Sequence, residues 1–444
     1  MSTVPQNIRF KQMAACLAAA FALAPGAALS TTRIVNTCDD DDSLGSLRSQ
    51  INAASSYDTI DLSTAQLTCS TITLEAGEIL IPQNTLTLKG PADRTVAITT
   101  QPYFNRLLRH TGGGYLIMEH LTFGGGEVNT NYNLVYAGGG CILTYGSVSL
   151  SYATVSGCSA TTGGQARGGA VWAGLNVAMD HSVVSGSTAK SFYQSARGGG
   201  VYGFNVSMNF STVSGNTAFV GTADGESRGG GVYARDLFFA VNSSVDSNHA
   251  QTGGGIYIGE ATLSVHSAFL LENSTISGNS ASIRGGGIFL GTSPYMGLTY
   301  NSTVAFNSAP SFAGIYISKI LAWSSIIAKN TNTLPGGFAD LYVRQGGYLG
   351  GADNLIVSYN STGLPGTITV TSDPQLAPLA NHGGQTRTHA LLATSPAIEH
   401  GTLRLAFDSD QRGPGFSRVV NGTADIGAYE RQVNDDEVFY GGFD

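Results

Sequence analysis

Arginine and aromatic side chains recur together, at intervals of 24 to 32 residues, in the middle of the chain. Of seven glycine runs, four are preceded by an arginine, at Arg167, Arg197, Arg228 and Arg284. Six are followed by a ring, at Trp172, Tyr202, Tyr233, Tyr257, Phe289 and Tyr316. Guanidinium groups pair with carboxylates, and aromatic rings stack on the faces of other groups. The pattern predicts an exposed surface for neutral and acidic sugars, with Trp172, Tyr202, Tyr233, Tyr257, Arg167, Arg197 and Arg228 as its ligand-binding residues. In the alternative, structural interpretation, the rings stabilise neighbouring segments and the arginines pair with acids such as Glu226.

A second set of side chains could carry out acid–base chemistry on a polysaccharide. Asp180, His181, Asp246 and His249 are carboxylates and imidazoles that could meet in a cleft. They occupy non-equivalent places in the repeat, so we assign no catalytic residue. The stretch Gly225-Glu226-Ser227-Arg228-Gly229 matches G-x-S-x-G, but glycines and a strand follow it where a nucleophile elbow needs a helix.

Metal and cofactor signatures are weak. The chain has no CxxC, no metal-spaced histidine pair and no phosphate loop, so we expect no metal and no cofactor. The run Asp39–Asp42 could bind Ca²⁺. Alternatively it precedes a helix from Ser46 to about Ala54, where acids favour the helix N-terminus and the helix covers the open end of a repeat array.

The glycine runs themselves reveal an internal repeat. Six runs end in an apolar residue, and a seventh, weaker one does so at Ile315; these residues are Ile142, Val171, Val201, Val232, Ile256, Ile288 and Ile315. A second motif of the type Ser-Thr-Val-Ser-Gly-Asn follows each of the first six at a fixed phase. Two motifs in phase describe one unit that is repeated.

Each unit reads as short strands that stack. Its runs of Val, Ile, Thr, Ser and Tyr alternate and are bounded by glycine and asparagine, without helical periodicity. One unit has too few inward residues for its own core, so equivalent units should stack in register as a parallel β-solenoid that rises about 4.8 Å per coil. Similar runs from Thr59 to Leu88 extend it towards the N-terminus.

Equivalent residues should then form columns along the axis. If the valine or isoleucine after each glycine run points inward, the ring that follows points outward. Another column contains Asn216, Asn248, Asn279, Asn307 and Asn330, with Cys158 and Ser187 at the earlier places. Asparagine suits left-handed turns, and identical amides can hydrogen-bond from coil to coil, so we interpret this column as structural.

The N-terminus has the features of an export signal. Residues 1–30 contain Arg9 and Lys11, then an apolar run over 13–24 and a small-residue cleavage site. Cys16 could suggest a lipoprotein, but it lies near the start of the apolar run. Four cysteines remain, and in an exported chain their order favours the disulfides Cys38–Cys69 and Cys141–Cys158, out of three possible pairings.

Charge and hydropathy exclude some classes of partner. The chain has 22 lysines and arginines against 30 acidic residues, a net charge of −8, so a basic surface for nucleic acid is not expected. No later apolar stretch reaches the ~20 residues of a transmembrane helix.

Two terminal motif sets carry a resemblance to known families. Asn36-Thr37-Cys38-Asp39 and Gly45-Ser46-Leu47-Arg48 resemble the start of exported right-handed parallel β-helix proteins of the CSLREA type. Asn381-His382-Gly383-Gly384, Asp410-Gln411-Arg412-Gly413 and Asp425-Ile426-Gly427-Ala428-Tyr429-Glu430 resemble the end of choice-of-anchor Q proteins. The repeats are also similar to those of polymorphic outer-membrane adhesins. The resemblance implies a secreted or surface β-helix of right-handed sense and implies no catalytic residues.

These features give one prediction for the whole chain. We expect a signal peptide over 1–30, an N-terminal cap over 31–57, a right-handed parallel β-helix over 58–364, a C-terminal choice-of-anchor-like segment over 365–431 and a tail over 432–444, which is a sorting signal or a frayed end. The predicted function is adhesin-like or glycan binding without catalysis, at the bacterial surface or outside the cell, on an extracellular polysaccharide or a cell-surface glycan. The alternatives are a polysaccharide lyase or glycoside hydrolase on the same scaffold and a purely structural spacer.

Overall fold

The chain winds into a parallel β-solenoid of about 11 turns. The computed structural model describes residues 30–101, 105–133, 135–259, 267–291, 296–360, 368–433 and 435. Equivalent strands of successive coils pair in parallel and in register, as Val171 with Val201 and Val201 with Val232 do. The predicted all-β solenoid is therefore confirmed. The predicted signal peptide and most of the predicted tail lie outside the described residues.

The strands of the solenoid form three sheets, which we call A, B and C. Sheet A consists of Thr32–Ile34, Thr59–Asp61, Ile79–Ile81, Leu86–Lys89, Leu108–His110, Tyr115–Glu119, Ile142–Thr144, Ser147–Ser151, Val171–Ala173, Asn176–Asp180, Val201–Asn209, Val232–Val241, Ile256–Ile258, Ser267–Glu272, Ile288–Leu290, Met296–Tyr300, Ile315–Trp323 and Leu341–Ala352. Sheet B consists of Thr71–Leu74, Ala97–Thr100, Thr122–Gly124, Thr154–Ser156, Val183–Ser185, Thr212–Ser214, Ser244–Asp246, Thr275–Ser277, Thr303–Ala305, Ile326–Ala328, Asn354–Ile356 and Ile368–Val370. Sheet C consists of Glu127–Asn129, Ala137–Gly138, Ser159–Thr162, Gln165–Arg167, Thr188–Ser191, Ser195–Arg197, Thr217–Val220, Glu226–Arg228, His249–Thr252, Ser280–Arg284, Ser308–Ala309 and Thr331–Asn332.

One helix, α1 (Leu47–Ala53), lies among the described residues, where the sequence predicts it. The Ser46 hydroxyl caps its N-terminus by accepting from the Ser49 N–H, and Leu47 and Ile51 are buried in the main core. Arg48 on this helix forms a two-pronged ion pair with Asp40, at 2.8 and 2.9 Å. Asp40, which belongs to the run considered for Ca²⁺ binding, is thus already paired with a guanidinium. That the helix acts as a cap stays a prediction, as do the domain boundaries.

In the run Gly198–Gly200, each glycine is required for a different structural reason. Gly198 has a φ of +68°, a conformation that L side chains rarely adopt. A Cβ on Gly199 would lie 2.2 Å from the Gly230 carbonyl oxygen and 2.3 Å from the Thr217 carbonyl carbon. A Cβ on Gly200 would lie 2.9 Å from Cγ of Asn216. The first glycine therefore allows a left-handed turn, the second allows the backbone of the next coil to approach closely, and the third leaves space for the asparagine side chain.

The pairing of third glycine and asparagine explains the position of one disulfide. The same places of successive coils hold Gly231 with Asn248 and Gly255 with Asn279, and in an earlier coil they hold Cys141 with Cys158. The Cα atoms of that disulfide are 5.6 Å apart, and those of Cys38–Cys69 are 6.1 Å apart. Both predicted pairings are present.

The asparagine column is a continuous hydrogen-bonded ladder inside the solenoid. The Asn248 Nδ2 donates to Oδ1 of Asn279 at 2.9 Å, and the same contact recurs at the other steps, Asn216–Asn248, Asn279–Asn307 and Asn307–Asn330. Asp340 ends the ladder by accepting from Asn330 at 2.9 Å. The predicted left-handed conformation lies one residue earlier, for example at Gly278 (φ +63°), because the asparagine side chain must point inward.

The segment after residue 370 lies across the outer face of sheet B. The Asn273 Nδ2 donates to the Ser409 carbonyl, the Thr275 hydroxyl donates to Gln411 and the Ser277 hydroxyl contacts the His389 ring, at 3.1, 2.6 and 2.7 Å. Outward residues of sheet B are accordingly buried from Ser244 onward and half-buried from Thr154 to Ser214. Buried ion pairs, Arg412 with Asp410 and Arg418 with Glu430, hold the segment together internally.

Candidate functional site

Sheet C forms a thin lateral fin on part of the solenoid. The fin consists of residues 127–133, 135–138, 159–167, 188–197 and 217–228, in which an outgoing and a returning strand of each coil pack against each other. The buried side chains of the fin are mostly small, among them Ala166, Ala189, Ala196 and Ala218. Because alanines bury little apolar area, the fin adds little to the core, and its outer surfaces are available for binding.

The predicted arginines form a row on the returning strands of the fin. Arg167 pairs in register with Arg197, and Arg197 with Arg228, so successive guanidiniums are one coil apart. Glu226 forms an ion pair with Arg228, and Gln165 accepts from Arg167. Arg197 has no carboxylate partner among the described residues. The structural alternative, pairing with Glu226, therefore accounts for one arginine of the three.

Each guanidinium of the row is stacked over an aromatic ring. Arg197 lies 5.6 Å from the centre of the Tyr233 ring, and Arg228 lies 5.2 Å from that of Tyr257. Arg167 covers both Tyr136 and Tyr202, at 5.3 and 5.5 Å. Stacking occupies the flat face of the guanidinium and leaves its in-plane N–H donors for a carboxylate.

The predicted aromatic column is present but is not exposed. Trp172, Tyr202, Tyr233 and Tyr257 point away from the main core and stack along the axis, with ring centres 6.3, 5.1 and 5.3 Å apart. Their exposed fractions are 9, 7, 4 and 7%. The expectation of an exposed stripe is wrong, because the fin and its arginines cover the rings and each ring face lies against the next coil. Sugar stacking on these faces is blocked along the length of the column.

Burial also affects the acidity of the tyrosine side chains in the column. Removal from water raises the pKa values of the Tyr233 and Tyr257 phenols above their ordinary value. The phenols are therefore neutral near pH 7. Their hydroxyl edges can act as hydrogen-bond donors beside the arginine row.

Exposed rings lie instead at the tip of the fin, where the sequence analysis did not place them. Tyr132 is 64% exposed, Tyr193 47% and Phe219 46%. The rings of Tyr132 and Phe192 contact each other at 4.5 Å, and the Lys190 ammonium lies 4.8 Å from the Phe192 ring. The available signal was the shortened interval of 24 residues between Val232 and Ile256, where the coil has no protruding loop.

The candidate acid–base residues do not converge. His181 Nδ1 lies 3.1 Å from Asp180 at the end of sheet A, and its ring stacks between Tyr152 and Phe210. Asp246 is fully buried at the end of sheet B, in an ion pair with Arg387. His249 is at the start of a sheet C strand, 2.8 Å from the Ser280 hydroxyl. These four residues therefore form no common cleft.

A further carboxyl, the half-buried Glu272, gives a testable pH dependence. Desolvation raises its pKa from 4.5 to about 7. Between these values the folded chain binds a proton that the unfolded chain releases, so its contribution to stability is present below pH 4.5 and is lost as the pH rises through 7. Between pH 5 and pH 8, we expect Glu272 to lower the free energy of unfolding by about 2–3 kcal/mol. Glu272→Gln should remove this pH-dependent decrease.

The measurement is the free energy of unfolding in urea at several pH values. Glu119→Gln is the matched control, because Glu119 ends a sheet A strand at the equivalent place of an earlier coil. An unchanged pH profile in Glu272→Gln would contradict the desolvation argument.

Comparisons with known proteins do not assign a function to the site. Within the described residues no helix has the length and hydropathy that a membrane crossing requires. No protein-family model, no curated protein and no solved structure matched this chain. The resemblance to CSLREA-type and choice-of-anchor Q proteins thus stays a prediction, and the chain is identified by its fold alone, as a parallel β-solenoid with a lateral fin.

Proposed function

We propose that this protein is an exported, adhesin-like β-helix that binds polysaccharide along the fin and does not cleave it. The observation that carries the proposal is the fin itself, which adds little core and presents an arginine row on its returning strands and open rings at its tip. Exposed apolar patches with charged neighbours are typical of interaction sites.

The two parts of the fin suit different features of a sugar. The open rings of Tyr132, Tyr193 and Phe219 offer apolar faces on which a pyranose can stack, as the column rings do not. The arginines offer donors for hydroxyl and carboxylate oxygens. Both sets of side chains lie on the fin, so a polysaccharide chain that runs along the fin can contact either set.

An extracellular location fits the cysteines. Two disulfides form in an oxidising compartment, and the N-terminal segment has the pattern of an export signal. Location at a bacterial surface or outside the cell is part of the proposal. The rival enzyme interpretation has support from the scaffold type alone, because its four candidate residues lie at separate places of the coil.

A glycan array with the chain lacking residues 1–30, together with a reducing-end assay, tests the proposal. We expect binding without product release. The double variant Tyr132→Ala with Tyr193→Ala should weaken binding about tenfold, whereas Tyr348→Ala, which removes an equally exposed ring outside the fin, should not.

Release of new reducing ends, or binding that is unaffected by the double variant and by substitution of the arginine row, would contradict the proposal. Circular dichroism of each variant shows whether the fold is retained.

A further inference from the structure

The arginine row has an unusual charge arrangement. Three arginines stand in register on adjacent strands, and the normal spacing between strands is about 4.8 Å. Like charges at this distance repel each other, and the described residues supply one carboxylate, Glu226, for the three. The Nε atoms of Arg167 and Arg197 are buried and have no hydrogen-bond partner in the structure. Among the described residues, the row therefore carries more positive charge than its carboxylate partner balances.

The row is also bounded at both ends. Gly138 occupies the place before Arg167, and Thr252 occupies the place after Arg228. The nearest basic group on the Gly138 side, Arg106, is already paired with Glu78 at 2.6 Å and donates to the Gly139 carbonyl. Three consecutive coils therefore present unsatisfied or partly satisfied guanidiniums, and the coils on either side do not.

The side chains are held in place before any ligand arrives. Each guanidinium is stacked on a ring that is itself buried in the column, for example Arg197 on Tyr233 and Arg228 on Tyr257. Contact with a ring restricts the orientation of the group. The terminal nitrogens of Arg197 remain available for a carboxylate, whereas one terminal nitrogen of Arg167 and one of Arg228 already donate to Gln165 and Glu226. A fixed row of such groups selects a ligand whose anions have the same spacing.

We infer that the fin binds a linear acidic polysaccharide with one carboxylate per sugar residue, lying along the solenoid axis with one sugar on each of the Arg167, Arg197 and Arg228 coils. One pyranose residue is about as long as the ~4.8 Å rise of a coil. Successive carboxylates therefore come into register with successive arginines when the glycosidic torsions turn them to the same side of the sugar chain. The inference rests on the proposed function, since it names the ligand class for the fin.

Isothermal titration with galacturonate oligomers of two, three and four residues, and with neutral xylose oligomers of the same lengths, tests the inference. We expect the affinity to rise at least tenfold from the dimer to the trimer, to change less than threefold from trimer to tetramer and to fall as salt is added. Neutral oligomers should bind at least tenfold more weakly than the acidic trimer.

Matched variants separate the row from general charge. Arg197→Gln should weaken trimer binding about tenfold, and Arg197→Lys, which keeps the charge without the planar fork, should restore part of it. Arg235→Gln is the control, because Arg235 is exposed and stacks on Phe204 at 5.6 Å but lies outside the row. It should bind the trimer like the unmodified protein.

The possible failures are distinguishable. Equal affinity for neutral and acidic trimers, or equal losses in Arg197→Gln and Arg235→Gln, would overturn the inference and leave glycan binding by the fin intact. Failure of every oligomer and of the whole glycan array to bind would overturn both. Thermal unfolding of Arg197→Gln and Arg197→Lys confirms that any loss is a loss of binding.

Discussion

Gly199→Ala should destabilise the solenoid by about 3 kcal/mol or more, which is at the upper end for overpacking. The new Cβ would lie 2.2 Å from the Gly230 carbonyl oxygen, 2.3 Å from the Thr217 carbonyl carbon and 2.5 Å from its oxygen. All three contacts are with the backbone of the next coil, which cannot move without breaking its own ladder. Urea unfolding followed by circular dichroism measures the effect.

Gly113→Ala is the control for Gly199→Ala. Gly113 is exposed, and the nearest atom to its new Cβ would be Asn84 Oδ1 at 3.8 Å. We expect a change within about 0.5 kcal/mol, as for an ordinary surface substitution. Equal stability of the two variants would contradict the close approach of the next coil's backbone to Gly199.

Asn279→Ala should cost about 3 kcal/mol, because it leaves two buried backbone groups, the Asn248 N–H and the Val245 carbonyl, without the Asn279 side chain at ~1–3 kcal/mol each. The Asn248 Nδ2 keeps the Val213 and Asp246 carbonyls as acceptors. Asn279 Oδ1 accepts from both the backbone N–H and the Nδ2 of Asn248, at 3.0 and 2.9 Å. Its Nδ2 donates to the Val245 carbonyl at 2.9 Å. The amides of the ladder are fully buried, so water cannot readily replace these bonds.

Asn176→Ala provides the comparison. Asn176 also accepts from an equivalent residue of the next coil, Asn205, at 2.9 Å, but both side chains are half-buried and water can take over. We expect a cost below about 1 kcal/mol. Similar unfolding midpoints for Asn279→Ala and Asn176→Ala would show that the internal ladder has no special role in stability.

The coil could be predicted from the sequence because its determinants are local and repeated. The glycine runs, the inward valines and the asparagine column recur at one phase, so stacking in register follows from their spacing. The disulfide Cys141–Cys158 could be predicted for a related reason, because its cysteines occupy a glycine and an asparagine place of the repeat. Cys38–Cys69 is favoured by the order of the cysteines alone.

The exposure of the rings could not be predicted in this way. Alternation correctly places Tyr202 and Tyr233 on the outer face of sheet A, but it does not reveal what covers that face. The cover is the fin, whose strands pack through alanines such as Ala189 and Ala196. Alanine gives no apolar signal that would distinguish a two-layered fin from another stretch of coil.

The position of the C-terminal segment also depends on non-local contacts. Asp246 and Ser277 occupy the same place in sheet B as Ser185 and Ser214, yet the first two are buried by the segment and the last two are half-buried. The partners that bury them, Arg387 and His389, lie more than 100 residues later in the chain. Repeat periodicity contains no information about such contacts.

A crystal structure of the protein with a galacturonate trimer would test the central claim most directly. We expect one carboxylate within hydrogen-bond distance of each of Arg167, Arg197 and Arg228, with the sugar chain parallel to the stack of coils. A trimer bound across a single coil, or beside Asp180 and His181 away from the fin, would contradict it.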